Sequence, residues 1–365
     1  VLETLSTMVR KHSVLTGLMM LTALAMPAHA DPVDLNASFD DAFGTDTRAP
    51  TTFEAIYEKT FEQQINELAD ASSGRIGVYA VDLSSGEDVS ILADMRFPMA
   101  STSKVAVAAT FLAGVDEGKY SLTSEYPLMI PIRSKKFSSE TAPVKKGNYV
   151  PAHELIGLMT SISCISCTDA LLKVVGGPDV VNTWMRDTAQ IEDFQLSRDI
   201  ATLVRDDGEF DPVEWVDPRD SATPRAMGQL LAGLYQGQWL SAESRAVLMA
   251  ALEKTTTGRR RMTAALPLEA SLAHKTGTLS RTASDIGIFR LADGRAIAAA
   301  IYVTGQSANL IDERRNKRAA RKRRDARIAD ITRALYTGFS AKAGLLDDPT
   351  SGWTAAPTGD ISSGG

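Results

Sequence analysis

Ser101 and Lys104 stand three residues apart at the head of Val105–Val115, an apolar stretch that reads as a helix. Residues at i and i+3 share one helix face, so the hydroxyl and the amine are placed to share a proton. The helix start adds free backbone N–H groups and a positive dipole end, which favour negative charge developing on the serine oxygen. Together these make an unreactive hydroxyl nucleophilic without a histidine. A second group, Lys275-Thr276-Gly277, lies far downstream. Each motif alone is weak; their order and setting carry the weight.

The elements that must position them alternate in type. Arg75–Leu83 alternates like a strand, with Ile76, Val78 and Val81 among smaller or polar neighbours and Gly86 in the following turn. Strands return at Ser271–Thr276, Ile286–Leu291 and Ala296–Val303, the last two joined by Asp293-Gly294. Helical spacing marks Phe53–Leu68 and a final helix through Ile328, Ile331, Leu335 and Phe339. From Ala152 to Leu252 the pattern is predominantly helical, apart from a long irregular stretch, Ser197–Thr223. The expectation is an α/β fold, an antiparallel sheet flanked by helices. Its α/β lobe covers 51–100 and 258–342, with an inserted all-α lobe at 101–257 and a ligand cleft between the lobes.

The chain has 365 residues, 44% hydrophobic and 23% charged, as in an ordinary globular protein. Arg10, Lys11 and His12 precede an apolar run, Val14–Met26, and then Ala28-His29-Ala30. Residues 1–30 therefore read as a secretory signal and 31–50 as a flexible acidic leader. Residues 343–365 read as a disordered tail. The apolar run is too short to span a bilayer comfortably, so a periplasmic or secreted protein without stable membrane insertion is expected. Arg314–Arg327 holds nine Lys or Arg and one acid in a chain of net charge −6. This segment is either a contact for an anionic surface, such as lipid or cell-wall polymer, or a solvated extension of the last helix, the simpler reading. No nucleic-acid partner is expected.

Cys164 and Cys167 are the only cysteines, too few for a disulfide framework or a four-cysteine metal site. His12 and His29 leave with the signal, and His153 and His274 alone make no persuasive zinc site. A mechanism with no metal and no cofactor is expected. Three-residue spacing inside a regular helix fits a disulfide poorly, so two buried thiols are expected.

The run Arg96–Lys104, ending in Ser101-Thr102-Ser103-Lys104, resembles the nucleophile segment of class A serine β-lactamases, which are penicillin-recognising serine hydrolases. His274-Lys275-Thr276-Gly277-Thr278, Gly176-Gly177-Pro178 and Arg219–Pro224 with Met227 are similar to further landmarks of that family. The resemblance covers about Phe53–Phe339 and implies a β-lactamase/transpeptidase-like fold. It implies that Ser101 is acylated, and that Lys104 takes its proton or tunes the site electrostatically. Backbone N–H groups of Ser101 and Thr278 would form the oxyanion hole. Lys275 and Thr276 would hold a substrate carboxylate, one as a point charge and one as a hydroxyl donor.

Two positions depart from the family. Its Ser-Asp-Asn motif corresponds to Ser163-Cys164-Ile165, which keeps the serine as a proton relay and loses the amide. A shifted register would use Ser166-Cys167-Thr168; Ser163 is favoured. In the loop over the site, Leu196-Ser197-Arg198 resembles the start, and Arg198 would pair with Asp220. Where the family has its deacylating glutamate stands Ile200, and its supporting asparagine is Val204. Asp199, Asp206, Asp207, Glu209 and Glu214 lie in the same loop, with Asp199 or Glu209 the best substitutes and solvated acids the simpler reading. The family's carboxylate-assisting arginine is missing from its commonest place, where Ser284 falls, leaving Arg281 or Arg225 to reach the site.

The expected activity is opening of β-lactam amides with slow deacylation. The alternatives are hydrolysis of cell-wall peptide or another amide or ester, or a penicillin-binding protein without turnover. The expected partner is a small β-lactam or cell-wall peptide, and the chain is read as a monomer.

Overall fold

The computed structural model describes residues 56–69 and 74–346. Helix α1 (Ile56–Ala69) leads into strands β1 (Ile76–Asp82), β2 (Asp88–Ile91) and β3 (Phe97–Pro98), then helix α2 (Lys104–Asp116). A hairpin, β4 (Glu125–Pro131) and β5 (Val144–Pro151), precedes α3 (Ala152–Ser161) and α4 (Ile165–Val175). Strand β6 (Phe194–Leu196), helix α5 (Ile200–Arg205) and strand β7 (Asp220–Ala222) follow, then α6 (Pro224–Gln236) and α7 (Ala242–Glu253). The chain returns through β8 (Leu272–Leu279), β9 (Thr282–Arg290) and β10 (Ala296–Thr304) to α8 (Lys317–Leu346).

The main sheet runs β2-β1-β10-β9-β8, every neighbouring pair antiparallel. Every residue of β10 is buried, and strand alternation sends its side chains into two different cores. Ala298, Ala300 and Tyr302 join the core of the helical lobe with Phe111, Met227 and Leu230. Ile297, Ile301 and Val303 join a second core with Phe61 of α1 and with Ile331 and Leu335 of α8. Helices on both faces thus explain an unbroken apolar strand.

The inserted lobe is not wholly helical. It also holds the β4–β5 hairpin, and β3, β6 and β7 form a small sheet. Strand β5 exposes Lys145, Lys146, Asn148 and Tyr149 in adjacent pairs, so a period-two search passes over it. Residues 343–346, expected in the tail, belong to α8. The expected signal and leader, and the rest of the tail, lie outside the described residues. No described helix is long and apolar enough to cross a membrane.

Candidate active site

Ser101 sits on a 3₁₀ turn, Ala100–Ser103, that runs directly into α2, whose first residue is Lys104. The turn is braced from within and from the sheet. Thr102 Oγ1 lies 2.7 Å from the Met99 carbonyl and 2.9 Å from the Tyr302 hydroxyl of β10. Strand β8 presses against the same turn, and Gly277 permits it. A Cβ there would lie 2.7 Å from the Met99 carbonyl oxygen, a backbone atom that cannot swing away.

Two lysines converge on one serine. Lys104 Nζ donates to the Ser163 carbonyl at 2.7 Å and to Ser163 Oγ at 3.2 Å. Lys275 Nζ donates to the same Oγ at 3.1 Å and to the Thr276 carbonyl at 2.9 Å. Both lysine side chains are fully buried. Ser163 takes a positive φ of 60°, an unusual conformation for a residue with a side chain. Among the described residues no hydrogen bond joins either lysine to Ser166. Ser101, Ser163, Thr276 and Thr278 line one cavity of about 490 Å³.

Burial disfavours a charged amine. It brings Lys104 down to about 7, against a smaller opposing pull from Asp169. Lys275 is held well below the ordinary lysine range, mainly by burial and then by Lys104. Asp169 is a site residue that the sequence reading misses. It sits on α4, is pushed up to about 7 by burial, and accepts the backbone N–H groups of Ile200 (2.7 Å) and Ala201 (2.9 Å). The available signal is an acid beside the apolar run Ala170-Leu171-Leu172.

The loop over the site closes as expected at its neck. Arg198 is hydrogen-bonded to Asp220 and, at 3.1 Å, to Asp217. Four of the five loop acids named from the sequence are occupied elsewhere, and the fifth, Glu214, is exposed. Asp199 caps α5 through the Thr202 N–H (2.7 Å), and Asp206 pairs with Arg205 (2.8 Å). Asp207 accepts the Ser280 N–H (2.7 Å), and Glu209 pairs with Arg219 (2.6 Å). Among the described residues, the one carboxylate lining the Ser101 cavity is Asp325, which pairs with Arg261 at 2.7 Å.

Neither arginine named from the sequence reaches the cavity. Arg225 pairs with Asp94 and lies over the Tyr79 ring, and Arg281 pairs with Asp211. Arg261 is there instead. It donates to the Gly277 carbonyl (2.8 Å), the Ser284 carbonyl (2.7 Å) and Thr278 Oγ1 (2.7 Å).

Cys164 and Cys167 form a disulfide, contrary to the expected thiols. The reason is local. Helix α4 begins at Ile165, and Cys164 is its N-cap with an extended ψ of 119°, so the pair is not within a regular helix. Their Cα atoms stand 5.4 Å apart, inside the bridging range. Denatured, unreduced protein should therefore titrate no free thiol; two thiols per chain would refute the bridge.

The chain matches the β-lactamase enzyme family over residues 60–339. It is 30% identical to β-lactamase CTX-M-6 of Salmonella typhimurium over 263 residues, 71% of this chain and 86% of that one. An imipenem-hydrolyzing β-lactamase of Enterobacter cloacae is 29% identical over 247 residues, 66% of this chain and 80% of the relative. The crystal structure of a β-lactamase from Chitinophaga pinensis superposes with a TM-score of 0.64 at 26% identity, covering 77% of this chain and 99% of that one. With the nucleophile turn, the paired lysines and the glycine-ended strand around one cavity, these matches show that the chain belongs to the β-lactamase enzyme family, among its class A serine members and their relatives.

Proposed function

We propose that this chain is an exported serine hydrolase that opens β-lactam amides through an acyl-enzyme at Ser101 and releases the acyl group slowly. The convergence of Lys104 and Lys275 on Ser163 Oγ, within the cavity that Ser101 lines, carries the reading. Ser101 Oγ bonds to the amide carbonyl carbon, its proton passes to neutral Lys104, and the C–N bond breaks. The leaving nitrogen takes a proton through Ser163 Oγ. Backbone N–H groups of Ser101 and Thr278 hold the oxyanion. A substrate carboxylate at Lys275 and Thr276 restores the charge that burial suppresses on Lys275.

Slow release is supported by the chemistry of the loop that follows Arg198. Ile200 cannot accept a proton, and Asp199, Asp206, Asp207 and Glu209 of the loop are tied to other partners. Export is supported by the signal-like first 30 residues and by a disulfide, which persists in oxidising compartments. A second reading, hydrolysis of cell-wall peptides by the same residues, is favoured by Ile165 and Ile200, which replace two polar groups tied to β-lactam chemistry. Time-resolved intact-protein mass spectrometry after mixing with penicillin tests both steps. One adduct, absent from Ser101→Ala and decaying slowly, is expected. No adduct with penicillin, but turnover of a D-Ala-D-Ala peptide, favours the second reading.

Acylation should also lose rate as pH falls through about 7, because Lys104 then carries the proton it must accept. Asp169 titrates in the same range, so the observed value belongs to the pair. Asp169→Asn removes the charge that holds the lysine's proton and should move the acid limb to lower pH. Stopped-flow acylation rates across that range provide the check, and an unmoved limb would count against the coupling.

A further inference from the structure

The basic segment noted in the sequence is not simply a solvated helix end. Arg321 of α8 lines the Ser101 cavity, and it also lines a neighbouring cavity of about 380 Å³ with Lys136, Arg314 and Lys317. Thr278 is the other residue the two cavities share. The two linings together hold eight Lys or Arg against three carboxylates. Each of those carboxylates is already engaged. Asp325 pairs with Arg261, Glu313 with Arg324, and Asp207 accepts the Ser280 N–H. Among the described residues, Arg259, Arg260, Arg314, Lys317 and Arg321 have no ion-pair partner.

A chain of net charge −6 has thus collected unpaired positive charge at one end of its site. Clustered like charges repel, and no role in the proposed acyl transfer uses these side chains. A concave wall of one sign focuses the field and concentrates anions of the opposite sign. Guanidinium groups match the planar oxygens of carboxylate and phosphate.

We infer that the substrate is a polyanion: past the carboxylate held by Lys275 and Thr276 it carries a second carboxylate or phosphate, which Arg259, Arg260 and Arg321 receive. Arg261 lines the same cavity but is already braced by Asp325 and by the carbonyls of Gly277 and Ser284. Lys317 and Arg314 extend the positive wall toward any longer anionic portion. This inference rests on the acyl-transfer reading above, and names the substrate class for it.

The test compares two chromogenic cephalosporins that differ only in a carboxylate or a neutral group on the substituent beyond the ring carboxylate. The dianion should acylate the full chain at least about tenfold more efficiently at low salt. That advantage should shrink as NaCl rises from about 20 mM to about 500 mM, because exposed charges are screened. In the Arg259→Gln, Arg260→Gln, Arg321→Gln triple variant the ratio of dianion to monoanion efficiency should fall toward one. The salt titration needs no variant, so a folding failure would not rescue the idea. A ratio near one in the unaltered protein, or one that survives both salt and substitution, overturns it. Tricarballylate and pyrophosphate, added as competitors, separate the two anion types. Inhibition by the first alone assigns carboxylate, by the second alone phosphate, by both a site that takes either, and by neither refutes the subsite. Failure of both cephalosporins to form any adduct at Ser101 would instead refute acyl transfer itself.

Discussion

Lys104→Met should cost about 10²- to 10⁴-fold in acylation rate, the usual value of a positioned general base, while leaving the protein at least as stable near neutral pH. The activity half follows from the contacts, since the amine is hydrogen-bonded to Ser163, one turn from Ser101. The stability half follows from burial. Lys104 is fully buried and held at about 7 against an ordinary 10.5. That depression corresponds to a penalty on the order of 4–5 kcal/mol. Three hydrogen bonds to Ser163 and Cys164 offset it, each worth about 0.5–1.5 kcal/mol net. Methionine keeps most of the unbranched stem and removes the penalty, so the melting temperature near neutral pH should stay level or rise by about 5 °C. The sign depends on pH. The lysine's penalty is full below about 7 and fades toward 10.5, whereas the lost hydrogen bonds are not regained, so the variant should gain most in acid and be slightly less stable in alkali. Paired acylation rates and melting curves check both halves. A variant that is inactive and several degrees less stable would show that the amine holds the fold together instead.

The legible part of this molecule is the part with a regular period or a strict local chemistry. Alternation in Arg75–Leu83 and the apolar run Ala296–Val303 mark strands that are observed at Ile76–Asp82 and Ala296–Thr304. The i, i+3 spacing of Ser101 and Lys104 locates the nucleophile turn, although the turn is 3₁₀ before it becomes α. What stays hidden depends on neighbours distant in the chain. Arg261 looks like one of three consecutive surface arginines, yet Asp325 and two strand carbonyls draw it inside while Arg259 and Arg260 remain exposed. Asp169 gains its role only because the lid loop presents two backbone N–H groups to it. The disulfide escapes for a smaller reason: Cys164 caps α4 from outside, so the spacing argument for a regular helix does not apply to it.

The basic segment shows the same limit. As composition it is nine cations, equally suited to solvent or to an anion. In the fold those cations separate into different uses. Arg324 is buried against Glu313, while Arg321 lines the cavity that holds the nucleophile. Charge counting cannot make that division; packing of α8 against the sheet does.

Ile200→Glu should convert the slow release of the acyl group into turnover, shortening the adduct lifetime by at least about tenfold. Residue 200 begins α5, and its N–H is held at 2.7 Å by Asp169, the carboxylate that influences Lys104. A glutamate there enters a buried position beside a second acid. Both desolvation and like charge would raise its pKa from the ordinary glutamate range toward neutrality, where a general base works best. The cost is stability, because Ile200 is 1% exposed and its apolar contacts are lost. Burying a carboxyl in their place should destabilise the chain by roughly 2–4 kcal/mol. The variant should therefore melt lower yet hydrolyse a chromogenic β-lactam steadily after the first equivalent. Mass spectrometry separates the steps: the adduct should form about as fast as in the unaltered protein and disappear sooner. If it forms normally and persists unchanged, residue 200 does not govern the deacylating water, and the slow step has another cause.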